Sequence, residues 1–403
     1  MASGPLDGIR ILDLTTLING PWATVLLSDM GADVIKVEDP HNADPYRGDV
    51  RGGVDPRTGL HTYFETMNRN KKSITLDLSR DEGRAVFYRL VLEADVVTSN
   101  FRPGVTRRLG VDYATLVGHH PGIICVSASG LGREGPDAGQ GVVDLIGQAR
   151  SGYLSLTAQE DGSPRYVGAF ALADQVGAMM MAYATVLALL ARERTGVGQD
   201  VEVSQLGSLM GLQSLALNNY LMMGVEPRIP KRRDHANPLF HTYRAADGKW
   251  LALACLQFSR YWQPTCRALG LDELAGEVEP GQSASGQKRG RELVALVQER
   301  FESAARDHWL PRLRDEGVVF SPVQDYPELQ QDPQVAANDY IVELDHPQVG
   351  PLKQVGIAVK MSATPGAVRS TAPEYGQHTE EVLLAAGFTW DEIVALRDAG
   401  VIV

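Results

Sequence analysis

The sequence predicts an α/β fold built on a parallel sheet, and three observations carry the prediction. Short β-branched runs alternate with helix-like segments through the first third of the chain. The first run leads directly into a Gly-Pro pair that opens a helical pattern. A second α/β block begins only after a Pro/Arg/Lys-rich stretch at 226–233. Strands that alternate with helices lie parallel, with both faces of the sheet covered.

The elements follow in order. Residues 9–14 (IRILDL) form a strand, and Gly20-Pro21 opens a helix that stops at Gly31. Proline suits a first helical turn, where its missing N–H has no partner anyway, and glycine suits the stop. Strands are expected at 33–38, 73–78, 94–99 and 122–129, with helices at 81–93 and 113–116 between them. Beyond Asp174 an apolar helix runs to 191, a GVGQ turn leads into the strand DVEVS, and a long helix spans 205–223. The second block holds the strand KWLALAC and a helix at 292–305, with 280–290 read as an exposed loop. The chain ends in a helix-turn-helix near 380–396.

Composition narrows the function. The 403 residues are 44% hydrophobic and 22% charged, with a formal net charge of −12. An acidic envelope argues against a general nucleic-acid binder, which needs a basic face; a polyanionic small ligand needs only a local basic pocket. Cys125, Cys255 and Cys266 are few, odd in number and far apart, which fits reduced thiols in a cytoplasmic protein. No histidine or cysteine spacing suggests a metal. The amino terminus has no basic region followed by an apolar stretch, so no signal peptide is expected. The apolar run 177–191 is shorter than the ~20 residues that span a bilayer, and a buried helix is expected there.

Familiar motifs fail where they are incomplete. The first turn, TTLINGPWAT, has one glycine where a dinucleotide site needs three. SASGLG lacks the first glycine of a nucleophile elbow. Basic residues at Arg69, Lys71 and Lys72, with Arg102, Arg107 and Arg108, flank strands of one sheet and form a set suited to phosphates. Asp174 is the one acid before a wholly apolar helix. Two readings of it stand together: a helix N-cap and a nucleophilic carboxylate.

Several collinear stretches then resemble one family. They include LDGIRILDLTTLINGPWATVLLSDMGADVIKVEDP, NRNKKSITLDL, ADVVTSNFRPGVTRRLGVDYATL, VDLIGQARSG, ADQVGAMMMA, ERTGVGQDVEVS, DGKWLALA and APEYGQHTEEVLLAAGF. Across nearly its whole length the chain resembles the class III CoA-transferases, the group that includes formyl-CoA transferase, crotonobetainyl-CoA:carnitine CoA-transferase and the α-methylacyl-CoA racemases.

The resemblance implies a Rossmann-like large domain made from 1–225 and 320–403, a smaller α/β domain at 226–319, and an interlocked homodimer. It implies Asp174 as the catalytic carboxylate, which forms a mixed anhydride with the acyl donor and then an aspartyl-CoA thioester. Backbone N–H groups at the start of the helix would then stabilise the oxyanions. The CoA and substrate site would comprise Ile18, Asn19, Leu76, Leu78, Ser79, Asn100, Phe101, Arg102, Arg108 and Asp144. Coenzyme A enters as a substrate, with no permanently bound cofactor, no metal, and no nucleic-acid or membrane partner. Departures from the family sharpen the reading. Asp39 stands where transferases often carry a basic residue, so the CoA phosphates are expected to be held differently. Val143 stands where racemases carry a histidine base, and ACLQFSRYW replaces a glycine-rich loop, which disfavours racemisation and formyl or oxalate specificity respectively. The competing functions are an acyl-CoA racemase, isomerase or lyase on the same scaffold, and a non-catalytic acyl-CoA-binding protein.

Overall fold

The computed structural model describes residues 4–48, 53–159, 161–227, 229 and 232–403. It divides into two compact units, Met1–Pro227 with Asp339–Val403, and Arg228–Asn338. Of the expected linker at 226–233, residues 228, 230 and 231 lie outside the described set.

The larger unit opens with β1 (Arg10–Asp13), α1 (Asn19–Asp29), β2 (Asp33–Glu38), α2 (Thr62–Asn68), β3 (Lys71–Thr75), α3 (Asp81–Val91) and β4 (Val96–Ser99). There follow α4 (Val105–Leu109), α5 (Tyr113–Leu116), β5 (Ile124–Ser129), α6 (Asp144–Arg150), α7 (Tyr153–Leu156) and α8 (Leu172–Thr195). Next come β6 (Asp200–Ser204), α9 (Gln205–Leu212) and α10 (Ser214–Met223), so the single helix expected over 205–223 is broken at Gln213. The six strands form one parallel sheet in the order β3-β2-β1-β4-β5-β6. This is the doubly wound Rossmann order, in which the chain reverses its direction of travel between β1 and β4.

Side chains alternate across the sheet and both faces are buried. Leu12, Ile35, Ile74 and Val97 pack on one face with α3 and the carboxyl-terminal residues Leu383 and Ile393. Ile11, Val34, Val96 and Ile124 pack on the other with Ala23 of α1 and Met181 of α8. A period of two with apolar residues on both sides is what a covered parallel sheet requires.

The smaller unit contains β7 (Phe240–Arg244), β8 (Trp250–Ala254), α11 (Phe258–Leu269), α12 (Ala284–Phe301), α13 (Arg306–Asp315), β9 (Phe320–Val323), α14 (Tyr326–Gln330) and α15 (Pro333–Ala337). Its division from the larger unit differs from the expected one at 319/320. β9 pairs antiparallel with β8, through Trp250↔Val323 to Leu253↔Phe320, which ties this segment to the smaller sheet. The loop expected at 280–290 is also shorter: Ser283 accepts the Gly286 N–H at 3.1 Å and caps α12, which starts at Ala284. The chain then returns to the larger unit through the hairpin β10 (Ile341–His346) and β11 (Gly350–Val355), and ends with α16 (Thr379–Ala385) and α17 (Trp390–Asp398).

Beneath the first turn lies a fully buried charge network. Asp13 and Lys71 are both fully buried and 3.0 Å apart, as are Lys36 and Asp44 at 2.9 Å. Asp13 Oδ1 also accepts from Thr15 N, Thr15 Oγ1 and Thr98 Oγ1, while Oδ2 accepts from Thr24 Oγ1. One carboxylate thus joins β1, its turn, α1, β3 and β4. Burial alone would raise its pKa, but Lys71, Lys36 and the Thr15 and Thr24 hydroxyls outweigh that and hold it at about 2.

The network also corrects the expected phosphate cluster. Lys71 is spent on Asp13, and Arg69 is buried against Asp29 at 2.7 Å. Both sit at the amino end of β3, whereas Arg102, Arg107 and Arg108 follow the carboxyl end of β4. In a parallel sheet these are opposite rims.

Replacing Asp13 with Asn leaves a buried lysine without its counter-charge. Equilibrium urea unfolding should show a loss of about 3–5 kcal/mol. In the wild type, the stability contributed by the depressed Asp13 pKa is present above pH 3.8 and disappears as the pH falls toward 2. That contribution is worth about 2 kcal/mol, and acid titration of the urea midpoint reads it.

Candidate active site

At the switch point, the carboxyl ends of β1 and β4 are bound together by one side chain. Asn100 accepts the Thr16 N–H at 3.0 Å and donates to the Thr16 carbonyl at 2.8 Å. Asp44 accepts the N–H groups of Leu17, at 3.3 Å, and Tyr46, at 3.0 Å. The turn is therefore held from both sides. It places Leu17 at φ 67°, a left-handed conformation that costs a branched residue about 1–3 kcal/mol.

A cavity of about 140 Å3 opens here, walled by Ile18, Asn19, Tyr46, Asn100, Ser129, Val143, Asp174 and Gln205 among others. Asp174 reaches it from the third residue of α8. It is not the N-cap, which is Ala171 at φ 48°. The cap is supplied from elsewhere in the chain: Asp144 Oδ1 accepts the Ala173 N–H at 2.6 Å and the Asp174 N–H at 3.4 Å. Asp144 is buried, and its other oxygen accepts from Gln148 at 2.8 Å. A remote carboxylate thus satisfies two of the orphan donors of α8 and complements its dipole. Those N–H groups are consequently not open to a reaction oxyanion.

Two amides converge on Asp174. Gln205 Nε2 donates to its Oδ1 at 2.6 Å, and Asn19 Nδ2 donates to its carbonyl oxygen at 3.2 Å. Each depends on a glycine. A Cβ on Gly177 would lie 2.2 Å from Asn19 Nδ2, and one on Gly147 would lie 2.9 Å from Gln205 Oε1.

The structure gathers Ile18, Asn19, Asn100 and Asp174 into one cavity, with Asp144 directly behind it. Phe101 and Arg102 line a neighbouring cavity of about 390 Å3 that also contains Arg107 and shares Ser129. Arg108 is exposed on α4 and Ser79 is exposed beyond β3, where its hydroxyl donates to Asp77 at 2.6 Å. Leu76 and Leu78 belong to the core, at 1% and 9% exposure. Gln205, Tyr46 and Leu17 escaped sequence reading. A polar residue immediately after a strand of a parallel sheet is a usable signal, and Gln205 follows DVEVS.

The larger cavity beside this one, about 590 Å3, shares Tyr46 as a wall. Of the two carboxylates that line it, Glu65 and Glu374, Glu65 lies 3.6 Å from His346. Burial pushes Glu65 up to about 7 despite the Ala372 N–H and Arg47, so much of it is protonated at neutral pH and poorly nucleophilic.

Comparison with known proteins decides the family. The sequence profile of CoA-transferase family III matches residues 6–379. The chain belongs to this family. Among curated relatives, acetyl-CoA:oxalate CoA-transferase of Acetobacter aceti is 34% identical, over 84% of this chain and 86% of that protein. Succinyl-CoA–D-citramalate CoA-transferase of Chloroflexus aurantiacus is 32% identical over 99% and 98%. Among solved structures, a CAIB/BAIF family protein from Brucella suis superposes with a TM-score of 0.81 at 30% identity, covering 96% of this chain and all of that one. This family III chain is therefore an enzyme of the CoA-transferase class, and acyl-CoA is its substrate.

Asp144→Ala should leave the first turn of α8 and the Gln148 amide without their charged partner. The expected loss is about 2–3 kcal/mol in urea unfolding. Asp144→Asn should recover part of it, since an amide oxygen still accepts the Ala173 N–H.

Proposed function

We propose that this transferase moves coenzyme A from an acyl-CoA donor to a carboxylic acid through a covalent intermediate on Asp174. The observation that carries the reading is the position of that carboxylate. It faces the cavity at the sheet's switch point, on a helix whose Ala173 and Asp174 N–H groups donate to Asp144. The Asp174 carboxylate attacks the donor thioester carbonyl, an anhydride forms and CoA thiolate leaves. The thiolate then attacks the aspartyl carbon, releasing the donor acid and leaving an aspartyl-CoA thioester. The acceptor acid repeats both steps in reverse. Dividing acyl exchange in this way lowers each barrier.

Phe101 and Arg102 in the adjoining cavity, with exposed Arg108, are the groups we assign to CoA. Leu76 is spent on the core, so apolar contact with adenine or pantetheine passes to Phe101. Asn100 acts by fixing the Thr16 turn, and Ile18 and Asn19 border the reacting carbonyl. Val143 presents hydrocarbon to the cavity, 49% exposed, where a racemase needs a base; this supports transfer over α-proton exchange.

We further propose a homodimer in the cytoplasm. Met179, Tyr183 and Leu190 of α8 and Leu215 and Met222 of α10 are exposed, Leu215 by 91% and Met222 by 81%. Apolar groups on this scale mark association surfaces. The three cysteines are buried free thiols, which suits a reducing compartment.

Incubation with acyl-CoA followed by hydroxylamine or borohydride should modify Asp174 alone, as read by peptide mass spectrometry. Asp174→Ala should abolish transfer while retaining CoA affinity within about threefold, because uniform binding is untouched. An unmodified Asp174 across a broad acyl-CoA panel would sink the proposal. Sedimentation should give a dimer, and a monomer at assay concentration would remove the association claim.

A further inference from the structure

The cavity at Asp174, about 140 Å3, is smaller than ordinary ligand pockets, whereas its neighbour across Tyr46, about 590 Å3, falls within their range of roughly 300–1,000 Å3. This larger cavity is built on α2 and the β10–β11 hairpin. Arg69 Nη1 donates to the Val355 carbonyl at 2.5 Å, and Gln354 Nε2 to the Glu65 carbonyl at 3.5 Å, so the hairpin is fastened to the helix and to the residue after it. One polar pair in the wall is incomplete. Glu65 Oε2 is buried and has no hydrogen-bond partner among the described residues. His346 Nε2 lies 3.6 Å from it, beyond hydrogen-bond length. His346 is buried, and its Nδ1 accepts the Gln348 N–H at 3.2 Å, so the neutral ring carries its proton on Nε2. A buried acceptor and a donor thus lie side by side, unbonded to each other. The arginine and lysine of the same wall are already committed. Arg47 gives two bonds to Glu38, at 2.8 and 2.7 Å, and Lys71 bonds Asp13, the Pro21 carbonyl and Asn68, each at 3.0 Å.

These groups discriminate among ligands. A ligand carboxylate would meet Glu65 and Glu374 with no uncommitted arginine or lysine in the wall to offset them. An ammonium would set its protons against the His346 N–H. A hydroxyl donates to Oε2 and accepts from Nε2–H through one atom. It also serves both forms of Glu65, which burial pushes up to about 7. We propose that the larger cavity takes the far end of the acid being exchanged, and that Glu65 and His346 select acids with a hydroxyl group remote from the reacting carboxyl. The inference rests on Asp174 marking the reacting end, and it names the substrate class that this end serves. Tyr46, common to both walls, then flanks the chain between the two ends. An acid without the hydroxyl leaves Glu65 Oε2 buried and unpaired, and that penalty makes the selection.

Isotope exchange between an acyl-CoA and its own labelled free acid needs no second substrate and reads the selection. Butyrate, valerate and hexanoate are each compared with their ω-hydroxy derivatives. The wild type should prefer at least one ω-hydroxy acid over its parent by about 10- to 100-fold in kcat/KM. Glu65→Met replaces the carboxyl with an unbranched apolar chain. His346→Asn keeps an acceptor for the Gln348 N–H and removes the Nε2–H. Each should shrink the preference to within about threefold and leave kcat/KM for the parent acid within about threefold. A merely structural loss would lower both members of a pair alike. Exchange without preference, exchange of no ω-hydroxy acid, or a preference that survives both substitutions would overturn the subsite without touching Asp174 as nucleophile. Exchange that persists in Asp174→Ala would overturn the nucleophile, and the inference with it.

Discussion

The buried Asp13 carboxylate is the constraint on which the site depends. It accepts from β3 through Lys71, from β4 through Thr98, from α1 through Thr24, and from its own turn through Thr15. Lys36 extends the same network to Asp44, which in turn holds Leu17 and Tyr46 at the cavity wall. An ion pair this deeply buried contributes little net stability compared with packed hydrocarbon. Its contribution here is geometric, because each partner fixes a different element.

The rest of the site follows from that anchoring. Once the turn after β1 is rigid, Asn100 can hold it to β4, and α1 can start with Asn19 facing α8. Glycines at positions 147 and 177 then let α6 and α8 approach the two amides. Leu17 and Ala171, both left-handed and neither glycine, are strained positions, one in the turn after β1 and one at the N-cap of α8. Strain concentrated there is tolerated because hydrogen bonds from distant segments over-determine the backbone. The large domain thus gives up local stability to fix the turn and helix start that border the cavity holding Asp174.

Much of the fold was legible in the sequence, and the reasons are local. β2, α5 and β6 follow from β-branched runs and turn residues, and their observed limits match the expected ones residue for residue. The family resemblance supplied Asp174, which hydropathy alone left divided between a cap and a nucleophile. What was not legible depended on distant pairing. Nothing near Asp174 shows that Asp144, thirty residues earlier, caps its helix. Nothing in NRNKKS shows that Arg69 and Lys71 turn inward to Asp29 and Asp13. Gln205 looked like an ordinary helix start, because its bond to Asp174 depends on α8 and α9 meeting. The boundary at residue 320 moved for the same reason, since β9 joins its sheet through β8.

The central claim is that Asp174 becomes covalently bound to coenzyme A. A crystal structure of the enzyme frozen after incubation with an acyl-CoA donor, without acceptor acid, tests it most directly. Electron density should run unbroken from the Asp174 carboxyl carbon to the CoA sulfur. An intact acyl-CoA in the cavity, or an adduct on any other residue, would contradict the account.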